Sequence, residues 1–204
     1  MSDDWSTSRD HFRAAADWFV ASTAHVGDRW AEPGLGEWDV RALVGHTSRS
    51  LLTVESYLGV PASAVDIDST VGYYLATRSI AAGPEVAQRG RDAGEALGAD
   101  PAAAVAIIAA RVLPLLDEKD GTELLTTVAG GMRLAAYVPT RTFELVVHAL
   151  DLLAALGRAA DPPQGAASQS LRIVADLAVA GGNAGPLLLA ATGRTPLTSG
   201  FSVL

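Results

Sequence analysis

The sequence predicts a mainly α-helical fold, and three observations carry that prediction. Apolar residues recur at spacings of three and four through most of the chain. Those stretches open at Asp, Ser or Asp-Pro and close at Gly or Pro, the punctuation of helix ends. Only one short region, around residues 124–137, has the β-branched and glycine-rich character of strands. At 204 residues, with 49% apolar and 19% charged residues, the chain is long enough to bury a core and far from disordered composition.

The elements follow in order. Ser6 to Ser8 offer N-cap side chains, and Phe12, Ala15, Ala16, Phe19, Val20 and Thr23 keep helical spacing, so a first helix is expected to run up to Gly27. Trp30 to Gly36, with Pro33, Gly34 and Gly36, interrupts it. Asp39 caps a second helix whose apolar face is Val40, Leu43, Val44, Thr47, Leu51, Val54 and Leu58, ended by Gly59 and Pro61. Residues 69–98 read as helical but broken around Gly83-Pro84. Asp100-Pro101 starts a helix expected to reach about Lys119, with Pro114 kinking or shortening it.

The period then changes. Leu124 to Val128, a Gly130-Gly131 turn, and Met132 to Tyr137 predict a short β-hairpin. A helix follows from about Pro139 to Leu156, closed by Gly157. Asp161 to Gly165 reads as a linker, residues 166–192 as one or two helices broken at Gly181-Gly182, and Gly193 to Leu204 as an extended tail lying on the domain. Residues 1–158 form the expected principal domain, and 159–204 a short helical extension.

Charge and composition narrow the function classes. A net charge of −8 disfavours binding to DNA, RNA or an anionic membrane, which leaves small molecules as the expected partners. The absence of cysteine excludes disulfides and restricts any metal site to nitrogen and oxygen donors. Asp3 and Asp4 stand where a signal peptide would carry basic residues, and no apolar run reaches the ~20 residues that span a bilayer, so a cytoplasmic protein is expected.

Two of the four histidines occupy unusual positions. On the helix from 139 to 156, Arg141, Glu144, His148 and Asp151 share one narrow strip, while apolar residues cover nearly all the remaining surface. Such a wide apolar arc fits a helix central in a bundle, with its polar strip facing a crevice. Glu144 and His148 are one turn apart, so a carboxylate oxygen and an imidazole nitrogen can meet on one divalent ion; the same spacing also suits an ordinary intrahelical pair on a solvated face. His46 borders the apolar stripe of the second helix, in a row with Ser50, Thr53 and Tyr57, as a ligand or as a core histidine bonded to a carbonyl. Together the three supply two imidazoles and one carboxylate, the count of a catalytic zinc that keeps a fourth position open. Asp151 is placed either to hold the free nitrogen of His148 or His46 or to stand as an ordinary surface acid.

The same residues carry a resemblance. Glu37-Trp38-Asp39-Val40-Arg41-Ala42-Leu43-Val44-Gly45-His46 resembles the W-x-V-x-x-L-x-x-H segment of mycothiol-dependent maleylpyruvate isomerase-like proteins, a branch of the DinB-like helical bundles. Thr140 to Leu152 resembles their second signature, t-R-t-x-E-L-x-x-H-x-x-D-L, and the likeness covers about residues 8–158. It implies a DinB-like four-helix bundle with a short hairpin, zinc held by His46, Glu144 and His148, and mycothiol as cosubstrate. It also implies a reaction at a small electrophile. The thiol sulfur either adds to an activated cis double bond, permits rotation and leaves, as in an isomerase, or stays attached, as in an S-transferase. A non-catalytic metal- or ligand-binding bundle is the alternative. Arg141, and Arg194 in the tail, are candidate carboxylate-binding residues, although a structural role is the simpler reading of both. The isomerase proper has a larger C-terminal domain than residues 159–204 provide, so the acid substrate does not carry over directly.

Overall fold

The computed structural model describes residues 4–81 and 85–204. Among them are eight α-helices and two small antiparallel strand pairs, a mainly helical architecture as the periodicity predicts. The helices are α1 (Trp5–Thr23), α2 (Val40–Leu58), α3 (Thr70–Ala81), α4 (Glu85–Ala96), α5 (Pro101–Val112), α6 (Leu134–Ala155), α7 (Gln164–Ala180) and α8 (Ala184–Ala191). The strands are β1 (Pro33–Leu35), β2 (Trp38–Asp39), β3 (Leu124–Thr127) and β4 (Gly130–Arg133). No single helix among the described residues is long and apolar enough to cross a membrane.

Helices α1, α2, α5 and α6 close a four-helix ring: α1 packs on α6, α6 on α2, α2 on α5, and α5 back on α1. Phe12 and Phe19 from α1, Leu43 and Leu51 from α2, Val105 from α5 and Leu145 and Leu152 from α6 are fully buried between them. Around this ring, α4 lies against α2, and α3 and α7 lie against α6. The α2–α4 crossing is backbone against backbone. A Cβ on Gly45 would come within 2.1 Å of the Gly94 amide nitrogen, and one on Gly94 within 2.8 Å of the Arg41 carbonyl oxygen, so neither position has room for a side chain. Arg41 locks the crossing by donating from Nε to the Gly94 carbonyl at 2.9 Å and from Nη2 to the Gly98 carbonyl.

The chain caps its helices largely where the sequence indicates. Asp39 Oδ1 accepts from the Ala42 amide at 2.7 Å, and Asp100 Oδ1 from the Ala103 amide at 3.1 Å. Helix α1 starts earlier than Ser6 to Ser8 suggest: Asp4 is the cap, its Oδ1 accepting from the Thr7 amide at 2.8 Å, and the helix ends at Thr23, before Gly27. Pro114 ends α5 at Val112, after which the chain continues as a 3-10 turn over Leu113–Leu116. The break expected at Gly83-Pro84 lies outside the described residues.

The hairpin differs from the reading of the sequence in a physically instructive way. Gly130 and Gly131 are not its turn; they pair with Thr127 and Thr126 as the first residues of β4. They are glycines because the α2–α3 connection runs directly over them. A Cβ on Gly131 would fall 1.9 Å from the Ala64 carbonyl oxygen, Asp66 Oδ2 accepts from the Gly131 amide at 2.7 Å, and the Asp66 and Ile67 amides donate to the Gly131 carbonyl. Residues 134–137, expected as strand, instead begin α6, which continues through Pro139. The proline sits early enough that only a carbonyl of the opening turns loses its amide partner. The pair β1–β2 was not expected at all; it folds the Pro-Gly segment back so that Trp38 leads directly into α2.

Helix α7 buries Ala166, Ile173 and Leu177 in the same core cluster as the ring, whereas α8 buries no residue. Beyond it the tail runs without regular structure, and Arg78 Nη2 donates to the Val203 carbonyl at 3.3 Å.

Candidate metal centre

Two helices bring the predicted residues together. His46 projects from the second turn of α2, and Glu144 and His148 project from one face of α6, where α2 and α6 pack. One donor atom from each of the three lies within 4.8 Å of the others. The His46 and His148 rings meet edge to face with centroids 5.0 Å apart. The strip of polar residues on α6 faces inward, as its wide apolar arc requires: the Glu144 and His148 side chains are 21% and 14% exposed.

Each donor on α6 has one atom anchored and one left toward the centre. His148 Nδ1 is 3.0 Å from Asp151 Oδ2, the neighbour expected from the sequence, and Glu144 Oε1 accepts from the Tyr74 hydroxyl of α3 at 3.0 Å. The remaining pair, His148 Nε2 and Glu144 Oε2, stand 3.2 Å apart. Two donors on one tetrahedral zinc, each about 2.0–2.1 Å from the ion, are separated by about 3.3 Å, so this spacing suits such an ion. His46 stacks against Trp38, ring centroids 4.4 Å apart, and Trp38 is held in turn by Nε1 donating to the Ala87 carbonyl at 2.9 Å. Gly90 of α4 leaves room for the indole, since a Cβ there would lie 2.5 Å from the ring.

Electrostatics divide the two imidazoles. Burial and the nearby charge of His148 hold His46 down to about 4, so it is neutral at pH 7 and has a lone pair to give. Burial pulls His148 the same way, but its hydrogen bonds to Asp151 and Glu144 outweigh that and raise it to about 9. For Glu144, burial opposes ionisation, and the His148 hydrogen bond, the Arg141 charge and the Tyr74 hydroxyl overcome it, leaving the group at about 2. The centre therefore holds a carboxylate, a neutral imidazole and a proton shared between His148 and two acids.

The donor chemistry fits a divalent ion of the zinc type. His46 Nδ1 is buried with no hydrogen-bond partner among the described residues, so the protein leaves a polar atom of this imidazole unclaimed, which is costly in a core. No cluster of donors beyond these three is found among the described residues, and Asp151 is engaged with His148 instead of completing a four-donor shell.

The two arginines diverge. Arg141 is buried on the same strip, its guanidinium carbon 5.1 Å from the Tyr137 ring centroid and 5.4 Å from that of Tyr73, with Nε donating to Thr140 Oγ1 at 2.9 Å. Burial works against its charge, yet the surrounding tyrosines and Glu144 keep it firmly protonated. Arg194 is exposed just past the end of α8, and its Nη1 donates to the nearby Thr192 carbonyl at 3.4 Å. Two participants escaped the sequence reading. Tyr74 reaches Glu144 from a different helix, and no spacing within α3 marks it; Trp38 lies in the first motif, but its stacking on His46 depends on the β1–β2 fold.

Two imidazoles and one carboxylate converging between α2 and α6 define a helical bundle with a donor set that could hold a metal ion. Residues 10–153 match the mycothiol maleylpyruvate isomerase N-terminal domain, and the chain belongs to that family. The helical ring is accordingly of the DinB-like kind. No curated protein and no solved structure matches the chain at the significance required.

Proposed function

We propose that the chain is a zinc-dependent, mycothiol-using enzyme that acts on a small electrophile, as an S-transferase or as a cis-trans isomerase. The observation that carries this reading is the convergence of His46, Glu144 and His148 within 4.8 Å, in a chain whose family is named for mycothiol. Three protein donors, with Asp151 turned to His148, favour an ion with an open position over a closed structural site.

In this reading His46, Glu144 and His148 hold the ion, which would supply positive charge that lowers the pKa of a thiol brought beside it. The other roles belong to the chain. Asp151 accepts from His148 Nδ1 and so fixes Nε2 as the donating nitrogen. Trp38 covers one face of His46 and keeps water from it. Arg141 places a second, permanent cation behind Glu144, favouring anionic forms of whatever enters. The thiolate sulfur adds to the activated double bond of the electrophile, whose π pair moves onto the neighbouring carbon as a carbanion. In the transferase outcome that carbon takes up the proton the thiol gave up and the carbon–sulfur bond persists. In the isomerase outcome the molecule rotates about the new single bond, the carbanion pair re-forms the double bond, and the same thiolate leaves. Residues 159–204 are read as an extension packed on the bundle through α7.

The test is turnover. Zinc-loaded protein incubated with mycothiol and a panel of electrophiles, including activated cis alkenes, should consume the electrophile, and His46→Ala should lower the rate at least about a hundredfold. Zinc uptake without turnover on any member of the panel would instead support a non-catalytic metal-binding bundle.

A further inference from the structure

We infer that Tyr74 is a positioning residue that restricts Glu144 to a single ligating oxygen and thereby keeps the metal's open position open; the inference rests on the metal-site reading above. A carboxylate can bind an ion through one oxygen or both, and the difference is one coordination position. In this chain the two oxygens of Glu144 are already distinguished. Oε2 faces His148 Nε2 at 3.2 Å, while Oε1 is turned toward α3, where the Tyr74 hydroxyl lies 3.0 Å away. The same hydroxyl is 3.1 Å from the Thr140 carbonyl. A phenol has one proton to donate, and an ionised carboxylate is the stronger acceptor, so the bond to Oε1 dominates.

Tyr74 is itself fixed. Its ring is buried, packed edge to face on Tyr73 at 5.8 Å and on Phe143 at 5.4 Å, so the hydroxyl cannot follow Oε1 if the carboxylate rotates. Thr70 Oγ1, which donates to the Ala136 carbonyl at 2.9 Å, ties the start of α3 to α6 and sets the register that brings Tyr74 opposite Glu144. The pairing mirrors that of Asp151 with His148: each α6 donor has its second polar atom occupied from outside the centre. Neighbours of this kind, when removed, typically weaken metal binding by about 10–100-fold.

The experiment uses the full chain with cobalt(II) as the probe, because its visible bands are intense at low coordination number and weak at six. Wild-type protein is expected to bind one cobalt with intense bands, and Tyr74→Phe to bind about 10–100-fold more weakly with a loss of band intensity as the freed oxygen joins the ion. Melting of the metal-free proteins is followed in parallel. A hydroxyl that serves only the Thr140 carbonyl would lower that melting temperature but leave cobalt affinity and spectrum unchanged, which overturns the inference. Should the variant fail to fold, weak six-coordinate bands in the wild type overturn it, and intense bands uphold it. Failure of the wild type to bind cobalt would overturn the metal-site reading, whereas binding with an unaltered Tyr74→Phe spectrum and affinity would overturn the role of Tyr74 alone.

Discussion

At the scale of single residues, His148 is where a proton and the proposed metal would compete. Its imidazole is raised to about 9 by Asp151 and Glu144, so at pH 7 the metal-free protein carries a proton that a zinc ion must displace. His46, held near 4, has none to lose. Calorimetry of zinc binding in buffers of different ionisation enthalpy should therefore show about one proton released per ion at pH 7, and apparent affinity should climb about tenfold per pH unit until pH 9. Stability of the metal-free protein moves the other way. A folded-state value raised above 6.5 contributes stability that is complete below 6.5 and lost as pH rises through about 9. Glu144, depressed from 4.5 to about 2, contributes stability present above 4.5 and lost as pH falls through 2. Melting curves between pH 6 and 10 should show the metal-free midpoint falling while the increment gained with zinc grows. Asp151→Asn should bring His148 down and weaken zinc binding by about 10–100-fold, measured by competition with a chelating dye.

At the scale of elements, the site depends on how closely α4 can approach α2. Gly45 immediately precedes His46, and its missing side chain is what lets the Gly94 backbone touch α2. Gly45→Ala inserts a methyl group against immovable backbone and should cost about 1–3 kcal/mol or more, read from chemical denaturation, with zinc affinity reduced as Trp38 and His46 shift. Gly59→Ala, whose added Cβ would meet only the Ser56 carbonyl at 3.4 Å, should leave both quantities nearly unchanged. Elements also show what the sequence could and could not reveal. The strip of Glu144, His148 and Asp151 was legible because helical periodicity fixes which residues share a face, and α6 is regular across it. The hairpin was misplaced because Gly130-Gly131 is a turn signal by local chemistry, while the actual demand for glycine comes from the distant segment around Ala64 and Asp66. Tyr74 was invisible for the same reason: its partner lies 70 residues away, and only the packing of α3 on α6 joins them.

At the scale of the molecule, the proposed metal site makes ion binding and folding one equilibrium. The donors come from α2 and α6, and the residues that hold them add α3 and α4, so an ion bound only by the folded arrangement stabilises the whole ring. Zinc at a thousand times its dissociation constant should add about 4 kcal/mol, seen as a raised melting temperature that chelator reverses and His46→Ala abolishes. The extension is tied into the same unit. Leu177 is fully buried and Ile173 nearly so, each worth about 1.5–3 kcal/mol of burial, so truncation after residue 158 should lower stability by several kcal/mol; an unchanged midpoint would show that α7 is dispensable to the bundle.

The central claim is that one ion is shared by side chains from two separate stretches of the chain. Crystals of the zinc-loaded protein, measured on both sides of the zinc absorption edge, locate that ion directly. A single strong anomalous peak is expected about 2 Å from a donor atom of each of His46, Glu144 and His148. A peak elsewhere on the molecule, or one that leaves the imidazole of His46 out of reach, would contradict it.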